Sequence, residues 1–192
     1  TKEVLSALLA TCDDSLRGKR DRALLLFAWA SGGRRRSEVA QAEMRHLRRV
    51  APQEYLYTLS HSKTNQSGMD VPDNHKPVLG AAGAALQEWL TASGIVDGAI
   101  FRRIRKGGHV AEPLSPAAVR TIVKERCALA GVEGDFSAHS LRSGFVTEAG
   151  RRNVPLPETM ALTGHHSVAT VLGYFRAESV VHNQAAHLMD DD

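Results

Sequence analysis

Cations, imidazoles and a phenol occur along the chain in an order that suits chemistry at one phosphodiester. Tyr174 lies nine residues after His165. Upstream, His139 and Arg142 are three residues apart, so on a helix they would share a face. Three arginines at residues 34–36 precede a Ser-Glu pair further upstream. Arginines can hold non-bridging phosphate oxygens, a phenol can attack phosphorus, and a cation can protonate the leaving oxygen. This chemistry requires neither a metal nor a nucleotide cofactor.

The interval between His165 and Tyr174 sets a geometric condition on the site. Nine residues of straight helix would separate the two side chains by about 13.5 Å along the axis, too far for both to touch one phosphate. Gly164 and Gly173 are placed to interrupt the helix. The sequence therefore predicts a broken path that lets Tyr174 approach the cations, which would favour its phenolate form.

Composition indicates one compact domain without a membrane segment. The chain has 192 residues, and its 43% hydrophobic and 23% charged residues are an ordinary balance for a soluble globular protein. The longest apolar run, residues 23–30, is too short to span a bilayer. Cys12 and Cys127 are too few for a disulfide framework, so we interpret both as reduced thiols in a cytoplasmic protein.

The charge distribution favours a nucleic-acid partner. Residues 17–49 contain ten Lys or Arg against three acids, whereas residues 178–192 contain four acids and no Lys or Arg. A basic surface with an acidic tail suits DNA better than a membrane, which would select an amphipathic basic helix.

Hydrophobic spacing and turn residues predict a mainly α fold with a small three-stranded antiparallel β-sheet. A hairpin is expected over residues 46–60, a turn at 63–68 leads to a short third strand at 69–71, and a basic hairpin is expected over 101–110. Ser115-Pro116 is a helix start and Gly131 a helix stop. The other predicted helices include a stripe from Val4 to Leu9 and residues 20–30, 37–42, 79–92, 139–149, 157–162 and 178–188.

Taken together, these motifs resemble the catalytic domain of the tyrosine recombinases, the family of phage integrases and site-specific resolvases. The resemblance runs in order over nearly the whole chain and also includes Lys63 in the predicted turn. It implies the DNA breaking-rejoining enzyme fold over residues 1–192, with residues 177–192 as a C-terminal helical tail. It also implies that the separate N-terminal core-binding domain of the family is absent from this chain.

The resemblance assigns the phosphate clamps. Arg35 stands two residues before the Ser-Glu pair and corresponds to the first clamp, and Arg142 corresponds to the second. Glu38 would orient Arg35. His139, whose reference pKa of about 6.5 is close to neutral pH, would exchange a proton with the phenol.

The remaining catalytic roles also come from the resemblance. Lys63 would protonate the departing 5′ oxygen, with Lys76 as a weaker alternative. His165 would hydrogen-bond a phosphate oxygen. Tyr174 would be the nucleophile and form a 3′-phosphotyrosyl link.

Several nearby residues have simpler interpretations. Most family members carry an apolar residue where Arg34 stands, and we expect Arg34 and Arg36 to form a solvated face at the start of a helix. Tyr55, Tyr57 and Trp89 could stack on bases, but their patterning fits the core. The chain has nine histidines, but no His pair with metal-ligand spacing stands beside carboxylates, so no metal or cofactor is expected.

The expected activity is site-specific recombination of double-stranded DNA without metal or ATP. Four protomers would act on paired DNA sites, with a monomer when DNA is absent. The protein would be bacterial or phage-derived, and cytoplasmic in association with the nucleoid. Residues 178–188 could dock on a neighbour or on their own domain. The rival interpretations are a type IB topoisomerase, a non-catalytic DNA-binding protein on the same fold, and a metal-dependent nuclease.

Overall fold

The described part of the fold is mainly helical, with one three-stranded and one two-stranded antiparallel sheet. A computed structural model describes residues 2–32, 34–59, 75–134, 136 and 138–163; the helix residues 138, 139, 142, 161 and 163 are described by their backbone alone. Within these ranges the elements are α1 (Lys2–Ala10), α2 (Leu16–Ala30), α3 (Arg36–Ala40), a 3-10 turn (Met44–His46), β1 (Leu47–Ala51), β2 (Glu54–Thr58), β3 (His75–Val78), α4 (Gly80–Ser93), β4 (Arg102–Arg105), β5 (His109–Pro113), α5 (Pro116–Ala130), α6 (Ala138–Arg151) and α7 (Leu156–Thr163).

The three-stranded sheet has the order β1-β2-β3, with both pairs antiparallel. The hairpin β1–β2 confirms the predicted turn. The turn at 63–68 and the strand at 69–71 lie outside the described residues. The strand that pairs with β2 is residues 75–78, which the sequence did not predict because its His-Lys-Pro-Val pattern resembles a loop. Pro77 is tolerated there because β3 is an edge strand of the sheet that the described residues form.

The core is centred on α2 and α4, which pack along each other. Phe27 of α2 makes edge-to-face contacts with Tyr57 of the sheet at 5.1 Å and with Phe101 at 5.4 Å. Trp89 of α4 is fully buried, and its indole nitrogen donates to the carbonyl of Ile100 at 2.9 Å. The predictions that Tyr57 and Trp89 belong to the core are confirmed, and Tyr55 is likewise only 6% exposed.

Local capping signals define both ends of α5. The Ser115 hydroxyl accepts a hydrogen bond from the amide of Ala118, and Gly131 ends α5 in the left-handed conformation with φ of 69°. Both confirm the predicted ends of α5. Helices α6 and α7 overlap their predicted ranges, whereas the helix predicted at 178–188 lies outside the described residues. No helix in the described ranges is long and apolar enough to cross a membrane.

A buried ionic cluster ties α1, α2 and α5 together. Asp21 is 2% exposed, and its two carboxylate oxygens accept from Arg20 Nε at 2.9 Å and from Arg126 Nε at 2.9 Å. Arg126 also donates to the carbonyl of Thr11 at 2.8 Å, just past the end of α1. One carboxylate therefore pairs with two buried guanidiniums, and charges that are paired and hydrogen-bonded are the kind that a protein interior tolerates.

The thiols of Cys12 and Cys127 are both buried and free. Burial raises the pKa of the Cys12 thiol, an effect that nearby Arg126 opposes, and burial alone raises the pKa of Cys127. Less thiolate therefore exists at pH 8 than in an ordinary cysteine. We expect iodoacetamide to alkylate both cysteines much more slowly in the folded protein than in urea, as measured by mass spectrometry. Equal rates in the two states would contradict this.

Candidate active site at the C-terminal end of α2

The arginine segment leaves α2 through a tight backbone connection. Ser31 caps the helix, and its hydroxyl donates to the carbonyl of Phe27 at 2.6 Å. The amide of Arg34 then donates to the carbonyl of Ala28 at 2.8 Å. Arg35 is the cap residue before α3, with φ of −67° and ψ of 152°, and its carbonyl accepts from the amide of Val39. The first predicted clamp therefore stands at a fixed point between two helices.

The three arginines occupy different environments. Arg36 is exposed, as expected of a solvated face, and Arg35 is partly exposed. Arg34 is only 3% exposed, so the interpretation of Arg34 as a solvated residue is wrong. Arg35 keeps the accessibility that a phosphate clamp needs, whereas the guanidinium of Arg34 lies inside the protein.

Arg34 is held by two acceptors from different parts of the fold. Its Nη1 lies 3.3 Å from Glu38 Oε2, and its Nη2 donates to the carbonyl oxygen of Leu162 at 2.8 Å. Burial lowers the pKa of the Arg34 guanidinium, and Glu38 opposes that shift. The residue still carries its charge at neutral pH because an arginine does not deprotonate in proteins.

Glu38 was predicted to orient Arg35, and that role stays a prediction. The Glu38 side chain extends from α3 and is 10% exposed. Its carboxylate forms an ion pair with Arg34. Arg34 precedes the cap residue of α3, so this pair forms across the start of the helix and not between two positions within it. The contact of Arg34 with Leu162 could not be predicted from the sequence, since 128 residues separate the two positions.

Helix α6 carries the second predicted motif near its start. His139 and Arg142 lie in the first turns of α6, three residues apart, and their side chains are outside what the structure describes. The helix contacts α1 and α2. Phe145 of α6 packs edge-to-face on Trp29 of α2 at 5.8 Å. This contact joins α6 to the last turn of α2, beside the point where the arginine segment begins.

Helix α7 reaches the same end of α2. A groove there is lined by Trp29 of α2, Phe145 of α6, and Thr159 and Leu162 of α7, among others. In the sequence, His165 follows Leu162 by three residues. Three segments that carry or lead to predicted site residues therefore meet where α2 ends: residues 34–38, α6 and α7.

The catalytic roles of all six predicted site residues stay predictions. Lys63, His165 and Tyr174 lie outside the described residues, as do the predicted breaks at Gly164 and Gly173.

The described lysine and tyrosine residues bear on the predicted general acid and the predicted nucleophile. Lys76, the alternative general acid, is fully buried on β3, which argues against a group that must reach a substrate. Burial raises the pKa of both Tyr55 and Tyr57, so neither is suited to attack as a phenolate. The chain has three tyrosines, and the third is Tyr174.

Among the described residues, no cluster of three His, Cys, Asp or Glu side chains could hold a metal ion.

Comparisons with known proteins identify the family of this chain. The model of the phage integrase family matches residues 1–179. The chain is 32% identical over 183 residues to an integrase/recombinase XerD homolog from Selenomonas ruminantium, covering 92% of this chain and 53% of that protein.

Two solved structures share the fold. The XerA recombinase superposes with a TM-score of 0.71 at 16% identity, over 95% of this chain and 62% of that one. The XerH site-specific recombinase, in a post-cleavage complex with its palindromic difH substrate, superposes with a TM-score of 0.68 at 20% identity, over 98% of this chain and 52% of that one. The mainly helical fold with a small antiparallel sheet is thus that of tyrosine recombinase catalytic domains, and the chain spans about half the length of the XerD homolog and of XerH. The protein belongs to the phage integrase family, the tyrosine recombinases.

Proposed function

We propose that this chain is the catalytic domain of a site-specific recombinase that acts on double-stranded DNA. One observation carries the proposal: the family match over residues 1–179 includes all six predicted catalytic positions and continues past Tyr174. These positions are Arg35, Lys63, His139, Arg142, His165 and Tyr174. The similar XerD homolog is named an integrase/recombinase, which supports the same activity here.

The proposed reaction is two successive transesterifications. In the first, the Tyr174 oxygen attacks phosphorus, the bond from phosphorus to the 5′ oxygen breaks, and Lys63 supplies the proton that makes a 5′ hydroxyl. In the second, a 5′ hydroxyl from another strand attacks the 3′-phosphotyrosyl link and the phenol is released. The phosphodiester bond energy is kept in the covalent intermediate, so the reaction needs no ATP.

The described residues suit the electrostatic part of this reaction. Arg35 is partly exposed at the start of α3, where its planar fork can bind two phosphate oxygens. Arg142, near the start of α6, would supply the second clamp, and His139 would exchange the proton of the phenol. Such preorganised cations stabilise the charge that develops on the phosphorane.

DNA and further copies of the chain are the proposed partners. XerH in its complexes and a lambda integrase dimer are bound to DNA substrates, which supports DNA as the partner of this chain. We expect four protomers to assemble on two paired duplexes, since strand exchange needs a cleaved end from each duplex.

The test is covalent trapping of the protein on DNA. Nicked duplexes with a randomised centre would be incubated with the chain, and species that resist denaturation would be isolated and sequenced, which also reports the target site. We expect an adduct at the peptide that contains Tyr174, formed equally well in EDTA. A non-catalytic DNA-binding protein would give no adduct, and a metal-dependent nuclease would lose its activity in EDTA. A type IB topoisomerase would form the adduct but rejoin only the original strand.

A further inference from the structure

Arg34 connects two parts of the site that are distant in sequence. It directly precedes the predicted clamp Arg35, and its guanidinium reaches both Glu38 of α3 at 3.3 Å and the carbonyl oxygen of Leu162 at 2.8 Å. We propose that Arg34 is a positioning residue that fixes the end of α7 against the start of α3, and so sets the place of His165 relative to Arg35 during strand cleavage. This inference rests on the proposed function.

The chemistry of arginine suits this connection. A guanidinium presents several N–H donors in a rigid plane, so it can serve a carboxylate and a carbonyl at once, which a lysine ammonium on a flexible stem does less well. The carbonyl of Leu162 is one of the last four of α7, which have no partner within the helix. Arg34 satisfies that carbonyl with a charged donor in a buried setting, and such hydrogen bonds are the stronger kind.

The position of α7 matters because the chain continues from it towards His165. Leu162 precedes His165 by three residues, and Arg34 is joined to Arg35 by one peptide bond. A shift of α7 relative to α3 would therefore change the spacing between the two groups that are proposed to hold one phosphate. A misplacement of about 1 Å can reduce the rate of a reaction on the order of 100-fold.

A positioning role can be separated from a purely structural one. Replacing both members of a buried ion pair by apolar side chains is often neutral for stability, whereas removing one member leaves an uncompensated charge and is strongly destabilising. Arg34→Leu removes one member and leaves the Glu38 carboxylate, whose side chain is 10% exposed. We expect it to lower the stability of the fold and to slow strand cleavage, and Arg34→Lys, which keeps the charge, separates the two effects.

The experiment compares Arg34→Leu with two other variants in the full chain. Arg34→Lys keeps the charge but not the planar fork. Arg152→Leu is the matched control: it makes the same replacement and loses the same charge at a side chain that is 60% exposed and pairs with Glu148 at 2.9 Å. For each we would measure single-turnover adduct formation on the nicked substrate, the Kd for DNA, urea unfolding, and amide hydrogen exchange along α7.

We expect Arg34→Leu to form adduct on the order of 100-fold more slowly, with a Kd close to that of Arg152→Leu. Exchange at the last turn of α7 should become faster, while α1 and α2 keep their protection. Arg34→Lys should recover part of the rate. Arg152→Leu should react as the unaltered chain does.

The inference is overturned if Arg34→Leu cleaves at the normal rate, or if exchange in α7 is unchanged. If Arg34→Leu does not fold, Arg34→Lys decides instead, and a normal cleavage rate in that variant rejects the inference. If the unaltered chain forms no adduct, the proposed function fails, while hydrogen exchange still tests the link between Arg34 and α7.

Discussion

Replacing Tyr174 by phenylalanine is expected to abolish the covalent protein–DNA adduct completely. The change removes one oxygen, the atom that is proposed to attack phosphorus, and leaves the ring in place. DNA affinity and thermal stability should therefore stay close to those of the unaltered chain. Denaturing gel electrophoresis after incubation with the nicked substrate measures the adduct, and a gel-shift assay measures binding.

Tyr55→Phe is the matched control for this change. Tyr55 is 6% exposed in the core, and burial raises its pKa, so the same loss of an oxygen should leave adduct formation intact. Tyr57 is less suitable because its hydroxyl accepts a hydrogen bond from the amide of Glu43 at 3.3 Å. An adduct that survives Tyr174→Phe, or one that disappears with Tyr55→Phe, would remove the basis for assigning the nucleophile.

The second large effect is expected on stability, from Asp21→Ala. This change leaves Arg20 and Arg126, which are 6% and 8% exposed, without the carboxylate that pairs with both. Removing one partner of a buried ion pair costs about 3–5 kcal/mol, because an uncompensated charge stays in the interior. We expect the free energy of unfolding to fall by that amount. Urea unfolding followed by circular dichroism measures it, as a lower urea midpoint.

Glu112→Ala provides the comparison for Asp21→Ala. Glu112 also bridges two arginines, Arg103 at 3.4 Å and Arg105 at 3.0 Å, but all three side chains are exposed. Water solvates the remaining charges on that hairpin, so the change in stability should be a small fraction of the Asp21 effect. Similar losses in the two variants would mean that burial of the Asp21 cluster does not govern its contribution.

The elements that could be predicted from the sequence are those with local signals. The start of α5 at Ser115-Pro116 and its end at Gly131 each depend on residues within one turn, and the structure confirms both. The hairpin β1–β2 likewise depends on the turn between its strands. Strand β3 could not be predicted, because its identity comes from pairing with β2 across the intervening segment and not from its own residues.

In the candidate site, too, the features with local signals could be predicted, and those set by distant contacts could not. The candidate residues could be identified from their order and spacing in the sequence. The accessible position of Arg35 before a short helix could be predicted as well. The burial of Arg34 could not, because the acceptor that draws it inward is a carbonyl 128 residues away. A run of three arginines looks uniform in sequence, and tertiary contacts alone distinguish the buried member from the accessible ones.

The attachment of three segments to the end of α2 has a mechanical consequence. The arginine segment is bonded to Ala28, α6 rests on Trp29, and α7 is tied to Arg34. A displacement of the last turn of α2 would carry all three with it, so their mutual distances would change less than their distances to the rest of the fold. The proposed clamps Arg35 and Arg142 would then move together when duplex DNA, the proposed substrate, binds to the protein.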